Sequence, residues 1–316
     1  MKKNSSAFFL TLLLLPALAA AQRHTISGYV VNGNSGETMI NVNVVVDGTD
    51  KGGSTDKNGY FRIGGLSPGE YRLRFTSMGF KPGEVTVTLK DKSIFLPETA
   101  LFPQPVNIEG VQVEAQHSRI ADTEVEGGLR TITPEAITRI PAARKDIFTA
   151  LKYLPGIEQV DPFSPLYTVR GGDPGENLIL LDGVTIYNPY HSVNAAGLFN
   201  PYAIKDVEMM VGGFGVEYGG RNSSVLYLTT REGNNDKLHG EFKPGLSNTN
   251  MVFDFPVEKN ATMMVSGRAY YDLVSRFLFY SPAWFFDLNA TLNWKLNSRN
   301  RLRLRYFQSK DDMDLS

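Results

Sequence analysis

Cysteine is absent from the 316 residues, and with it go disulfide staples, thiolate metal sites and thiol nucleophiles. Charge of one sign is lacking too. The 32 Lys and Arg against 33 Asp and Glu leave a formal net charge of -1, so no basic field exists to hold nucleic acid. Histidine is scarce: His24, His117, His191 and His239 are scattered, none with a Glu or His at metal-ligand spacing. No Gly-x-Ser-x-Gly elbow occurs. Beyond the first residues no apolar run is long enough to cross a bilayer as a helix. What is present in quantity is turn-formers and rings. The 30 Gly, 14 Tyr and 19 Phe suit many short strands, and the length leaves room for two or three domains.

The one apolar run reads as an export signal. Lys2 and Lys3 precede Ala7–Leu15, Pro16 breaks the segment, and Ala19, Ala20 and Ala21 form a small-residue cleavage site ahead of Gln22. With no cysteine at that point, lipid attachment is not expected. The mature chain is expected to begin after residue 21 and to be exported.

From His24 to Leu101 the pattern is alternation with frequent turns, as in a small β-sandwich. Val42, Val44 and Val46 share one face of a strand; so do Tyr71, Leu73 and Phe75, and Val85, Val87 and Leu89. Asp56-Lys57-Asn58-Gly59 predicts a hairpin turn, because a calcium loop would need further oxygen ligands and a distal Glu. Pro97, Pro103 and Pro105 then stiffen the chain into a polar linker. Inside that linker Val111 and Val113 alternate with polar residues. On residue pattern alone this segment is either a strand donated to an outside sheet edge or a connecting strand of a flanking domain.

An α/β stretch follows. Pro134–Ile137 predicts a short helix, and Ile147, Leu151 and Leu154 at i, i+4 and i+7 predict a better one, stopped by Pro155-Gly156. Asn200-Pro201 predicts a second helix start. Leu178–Leu181 and "VEMMV" read as strands. The glycine loops do not cradle phosphate: Gly213, Gly215 and Gly219 lead into a strand rather than a helix, and no Gly-Lys-Ser/Thr follows Val169. Asp173, Glu176 and Asp182 resemble paired carboxylates, but Asp182-Gly183 after an aliphatic strand is a hairpin signature. We find no catalytic, cofactor or metal constellation, and the chain is not expected to be an enzyme.

The last segment alternates strictly. Leu288, Ala290, Leu292, Trp294 and Leu296 oppose Asn289, Thr291, Asn293 and Lys295, and Leu302, Leu304 and Tyr306 oppose Arg301, Arg303 and Arg305. A half-buried soluble sheet shows this pattern, and so does an outer-membrane barrel hairpin. We favour the barrel because an export signal stands in front.

Several motifs in order resemble known families. "ISGYVVNGNSGETMINVNVVVDGTDKGGSTDKNGYFRIGGLSPGEYRLRFTSMGF" resembles the carboxypeptidase regulatory-like domain, a non-catalytic transthyretin-like module. "TITPEAITRIPAARKDIFTALKYLPGI", "YTVRGGDPGENLILLDGVTIYNP" and "NPYAIKDVEMMVGGFGVEYGGRNSSVLYLTTREG" resemble the plug of TonB-dependent outer-membrane receptors. The pairing is similar to that of Bacteroidetes-type receptors. The resemblance implies a mainly β chain. Its parts are a signal peptide (1–21), a sandwich (22–101), a linker (102–127), a plug (128–235) and the first strands of an incomplete barrel (236–316). With five candidate strands after residue 237 and no aromatic-ended final strand, the chain is expected to be the N-terminal portion of a receptor.

The resemblance further implies a place in the outer membrane, with sandwich and linker in the periplasm. It makes Asn107, Ile108, Glu109, Gly110, Val111, Gln112, Val113, Glu114 and Ala115 the TonB-box candidate. Tyr187, Asn188, Tyr190, His191 and Asn194 become candidates to face a ligand, while Arg170, Gly171, Asp182, Gly183, Glu208, Tyr218 and Gly219 become structural determinants of the plug. The implied partners are the C-terminal domain of TonB, outer-membrane lipids, a small-molecule or oligomeric ligand at the extracellular face, and a surface lipoprotein. The rival expectation is an exported carbohydrate-binding or adhesion module without transport.

Overall fold

A computed structural model describes residues 23–104, 124–125, 129–132, 146–161, 164–191, 196–246, 248–271 and 283–313. The chain divides into two compact units, residues up to Val31 with Met39–Gln104, and Asn32–Thr38 with everything from Pro105 onward.

The first unit is the expected sandwich. One sheet holds β1 (His24–Asn32), β4 (Tyr60–Leu66), β7 (Ile94–Phe95) and β8 (Thr99–Leu101). The other runs β3-β2-β5-β6, with β2 at Asn43–Val46, β3 at Gly52–Ser54, β5 at Gly69–Thr76 and β6 at Gly83–Leu89. Period-2 alternation puts Val42, Val44, Val46, Leu73 and Phe75 wholly inside, where Phe75 meets Phe61 of the facing sheet edge-on at 5.4 Å. The turn at Asn58-Gly59 forms but does not close a hairpin. Its flanking strands belong to different sheets, β3 pairing with β2 and β4 with β1. The Asp56 carboxylate accepts from the Asn58 and Tyr60 amides at 2.8 and 2.9 Å. It is thus satisfied by its own turn while the chain crosses from one sheet to the other.

In the second unit an α/β body centres on a six-stranded sheet of order β14-β13-β18-β17-β10-β9. Here β9 is Glu124–Val125, β10 Leu129–Ile132, β13 Asn177–Leu181, β14 Val184–Thr185, β17 Ile204–Val211 and β18 Ser224–Thr230. Its central strands are buried on both faces, which is why Leu178–Leu181 is a continuous aliphatic run rather than an alternating one. Helix α1 is only Ile147–Leu151, capped by Asp146, and Ile147, Leu151 and Leu154 all enter the core as their spacing predicted. The helix expected at Asn200-Pro201 is a single 3₁₀ turn, Pro201–Ala203. Asn200 caps it as predicted, but β17 begins at Ile204 and leaves no room for a second turn. Two short hairpins complete the body, β11 (Ile157–Gln159) with β12 (Tyr167–Val169) and β15 (Tyr190–His191) with β16 (Ala196–Gly197). The helix expected at Pro134–Ile137 lies outside the described residues.

The rest is a five-stranded antiparallel wall, β19 (His239–Pro244), β20 (Asn248–Glu258), β21 (Ala261–Tyr270), β22 (Ala283–Lys295) and β23 (Arg301–Met313). Its faces are inverted relative to a soluble sheet. Asp287, Asn289 and Thr291 are buried against the α/β body, whereas Trp284, Trp294, Leu302, Leu304 and Tyr306 stand exposed on the other side. A 13-residue strand is about 43 Å long, which at a tilt of about 45° spans about 30 Å, the thickness of a bilayer's hydrocarbon.

Leu288, near the middle of β22 on the apolar face, reports on this inversion. Leu288→Arg is expected to destabilise the assembled wall by about 2–4 kcal/mol in a lipid bilayer. Equilibrium folding into vesicles measures it. An unchanged stability would mean that this face meets water.

Candidate functional site

The wall's inward charges need partners, and the body supplies them. At the turn between β13 and β14, Asp182 and Gly183 have φ of 52° and 88°, the left-handed pair that a two-residue I′ turn requires. The turn aims the Asp182 carboxylate at the last residues of β18. It accepts from the Thr230 amide at 2.9 Å and hydroxyl at 2.7 Å, and Arg305 Nε of β23 lies 2.9 Å away. Burial pushes the Asp182 carboxyl above its ordinary range, with Arg305 and the Thr230 donors pulling against it.

Two residues beyond β18, Glu232 is buried between Arg303 Nη2 at 2.7 Å and Lys205 Nζ at 3.3 Å. Burial alone would raise its carboxyl. The two cations outweigh that and hold it at about 2. Its carbonyl accepts from Thr262 Oγ1 at 2.8 Å, and Arg231 pairs with Asp254. Gly233, at φ 89°, passes so close to the wall that a Cβ would sit 2.8 Å from the Met263 carbonyl. The connection from body to wall is therefore a charged seam followed by a glycine that no other residue replaces without displacement.

A second attachment lies where Tyr190, His191, Ala196 and Gly197 pair as β15 and β16. His191 is fully buried, its ring stacked on Phe285 at 3.8 Å and 6°. Nδ1 lies 2.8 Å from Asp311 Oδ1, and Nε2 lies 2.9 Å from Asp287 Oδ1 without making a directed hydrogen bond. Arg268, also buried, donates from Nε to Asp287 at 2.7 Å and from Nη2 to the Gly197 carbonyl at 2.6 Å. The Gly197 amide in turn donates to Asp146, the cap of α1, at 2.6 Å.

Beside this attachment is a cavity of about 180 Å³ lined in part by Asn177, Thr185, Tyr187, Asn188, Tyr190 and Arg221. Three of the residues expected to face a ligand therefore line one cavity, with Tyr187 84% exposed. His191 stands apart from them, enclosed against the wall. Asn194 and Asn107–Ala115 lie outside the described residues. Among the expected structural residues, Arg170, Gly171, Asp182 and Gly183 occupy left-handed backbone positions. Glu208 is buried in β17, and Tyr218 packs on Leu178, Leu180, Val225 and Tyr227. Gly219 lies in the loop between β17 and β18.

Asp173 and Glu176 cap one another's backbone in a 3₁₀ turn. Together with the engagement of Asp182, this commits every carboxylate weighed for catalysis to a local structural contact. Among the described residues no group of three or more His, Asp or Glu side chains is placed to hold a metal ion. Arg268, Asp287, Arg303, Arg305 and Glu232 were not singled out as site residues from sequence. For Asp287, Arg303 and Arg305 the signal was present in the polar phase of the alternation in β22 and β23, which only an enclosed body turns into contacts.

Known proteins bear on this arrangement. The family described as CarboxypepD_reg-like domain matches residues 26–113, and the TonB-dependent Receptor Plug Domain family matches residues 121–225. The chain is 29% identical over 240 residues to the TonB-dependent transporter Oar of Myxococcus xanthus, covering 72% of this chain and 22% of that protein. It is 25% identical over 254 residues to the TonB-dependent receptor SusC of Bacteroides thetaiotaomicron, covering 74% and 24%. The crystal structure of the siderophore receptor PirA from Acinetobacter baumannii aligns with 59% of this chain and 32% of its own, at 17% identity and a TM-score of 0.45. The chain spans about a quarter of the length of the curated relatives it matches.

One buried carboxyl in the body makes a test of its electrostatics. Asp206 of β17 is buried, and its Oδ2 has no hydrogen-bond partner. Burial first, then the neighbouring Glu208, pushes its carboxyl up to about 7 despite Lys205. A raised carboxyl contributes stability that is present below about pH 4 and lost as pH climbs through about 7. Asp206→Asn is expected to remove that loss, stabilising the body by about 2–4 kcal/mol at pH 8 and little at pH 4. Urea unfolding at the two pH values measures it. Equal gains at both would refute the assignment.

Proposed function

Because the chain belongs to the TonB-dependent outer-membrane receptors, of the Bacteroidetes type in which a carboxypeptidase regulatory-like domain precedes the plug, we propose that it carries the N-terminal part of an energy-coupled importer. The observation that carries this reading is the inverted wall, apolar and exposed on one side and joined to the plug by buried charge on the other. An exported adhesion or glycan-binding module would have no use for an apolar outer face, so the rival reading is disfavoured.

The division of labour follows the residue patterns. After removal of residues 1–21, the sandwich (22–101) and linker (102–127) lie in the periplasm. The plug (128–235) fills the barrel that residues 236–316 begin. Asn107–Ala115 pairs as an added strand with the C-terminal domain of TonB, and force through it displaces part of the plug. The outer face takes a scarce ligand such as a siderophore, vitamin, glycan or peptide, with a surface lipoprotein as a further partner. No step is enzymatic. Tyr187, Asn188 and Tyr190 supply the plug's share of the ligand contacts, their rings and amide suiting a polar ligand. His191, enclosed by the wall, supports them rather than touching ligand.

Deletion of Asn107–Ala115 is expected to abolish binding of the receptor to the TonB C-terminal domain in a pull-down while leaving its assembly in the outer membrane intact. Retained binding would place the box elsewhere. Alanine at Tyr187, Asn188 and Tyr190 together is expected to weaken ligand affinity by about 1–3 kcal/mol without loss of fold. Titration with the ligand recovered from uptake assays reads this, and an unchanged Kd removes the three from the site.

A further inference from the structure

The β15–β16 hairpin turn, whose first strand carries Tyr190 and follows directly on Tyr187 and Asn188, is attached to the barrel wall through both of its strands, and by the same wall pair. Arg268 and Asp287 are directly opposite one another on β21 and β22. They pair with one another, Arg268 Nε donating to Asp287 Oδ2 at 2.7 Å, and each also reaches on into the plug. Arg268 Nη2 is held 2.6 Å from the Gly197 carbonyl on β16, and Asp287 Oδ1 is 2.9 Å from the His191 ring on β15. The His191 ring is enclosed on its remaining sides by Phe285, stacked at 3.8 Å, and by Asp311 at 2.8 Å. Phe285 is backed by the Tyr270 ring at 4.8 Å and by the Arg268 guanidinium at 4.9 Å.

We propose that His191, Arg268 and Asp287 are positioning residues, a clamp that fixes the ligand-lining turn of the plug to the wall. The physical case is the cost of the alternative. Arg268 and Asp287 are 2% and 3% exposed, and moving the turn away would strip the buried guanidinium of the Gly197 and Phe199 carbonyls, acceptors that its pairing with Asp287 does not replace. The Arg268 bonds to the Gly197 and Phe199 carbonyls are charge-assisted, and in a dry site such bonds are strong and directional, so the turn has one position rather than several. The clamp's purpose rests on the uptake reading above. Its existence does not.

Hydrogen exchange on the intact receptor in detergent, without ligand, tests it. In the unsubstituted protein the Gly197 and Leu198 amides, bonded to Asp146 and to the Pro189 carbonyl, are expected to exchange as slowly as those of β17. His191→Phe keeps the stack on Phe285 and removes both nitrogens; Asp287→Asn keeps the shape and removes the charge. Each is expected to speed exchange in the turn at least tenfold while β17 and β18 stay protected. His191→Gln, which returns an N–H donor, is expected to restore much of the protection. Unchanged exchange in the turn, or equal acceleration throughout the plug, overturns the proposal. Should neither variant assemble, Gly197 and Leu198 amides as fast as those of the exposed Gly213–Glu217 loop in the unsubstituted protein overturn it as well. Loosening of the turn with no loss of ligand affinity would leave the clamp standing and count against Tyr187, Asn188 and Tyr190 as ligand contacts.

Discussion

A β-wall that faces lipid on one side must turn its polar side chains to the other, and there its charges need more partners than the wall itself contains. In this protein the plug provides those partners. Arg303 and Arg305 of β23 meet Glu232 and Asp182, Asp254 of β20 meets Arg231, and the Arg268–Asp287 pair is completed by Gly197 and His191. The plug and the wall are therefore mutually required: either one alone would expose or bury these groups unpaired, at a cost of several kcal/mol for each buried one.

The character of the contacts matters as much as their number. An apolar plug surface would hold to an apolar lumen by area alone, with no preferred register and no simple way to let go. Hydrogen-bonded ion pairs have a single geometry, and water that enters a widening gap can take over their bonds. Their polarity reverses along the wall. Near the start of β23 the plug contributes carboxylates and the wall arginines, whereas at His191 the plug contributes the imidazole and the wall carboxylates. The reversal discourages the plug from sliding along the lumen, because a shifted register would bring like charges together.

The carboxylates make a related point about reading chemistry from composition. Asp182 sits in a turn so common that its Asp-Gly signature explains it fully. Yet the same left-handed backbone that makes the turn also directs the carboxylate onto Thr230 and Arg305. Glu232 follows a strand in a polar segment where nothing marks it out. It becomes one of the most strongly stabilised anions in the plug because two cations from separate strands converge on it.

Much of the fold was legible because it depends on local periodicity. The valines of β2, the aliphatic run of β13, the Asp182-Gly183 turn and the alternation of β22 and β23 each state their own geometry, since side-chain direction in a strand repeats every two residues and a I′ turn demands its own residue types. Two local readings failed where the competing constraint was distant. The turn at Asn58-Gly59 joins two sheets because its flanking strands find better partners elsewhere, and the Asn200-Pro201 cap opens only one turn because β17 is already claimed by β18. The ordered motifs also identified the receptor family, the sandwich and the plug. By itself, then, the sequence determined the elements, their faces and the kind of molecule they build. Only the tertiary structure decided which inward charge meets which, that Tyr187, Asn188 and Tyr190 share one cavity, and that His191 is enclosed by the wall. The contacts of Asp287, Arg303, Arg305 and Asp311 with the plug join residues 71 to 123 positions apart, and no periodicity within a strand encodes a partner on another.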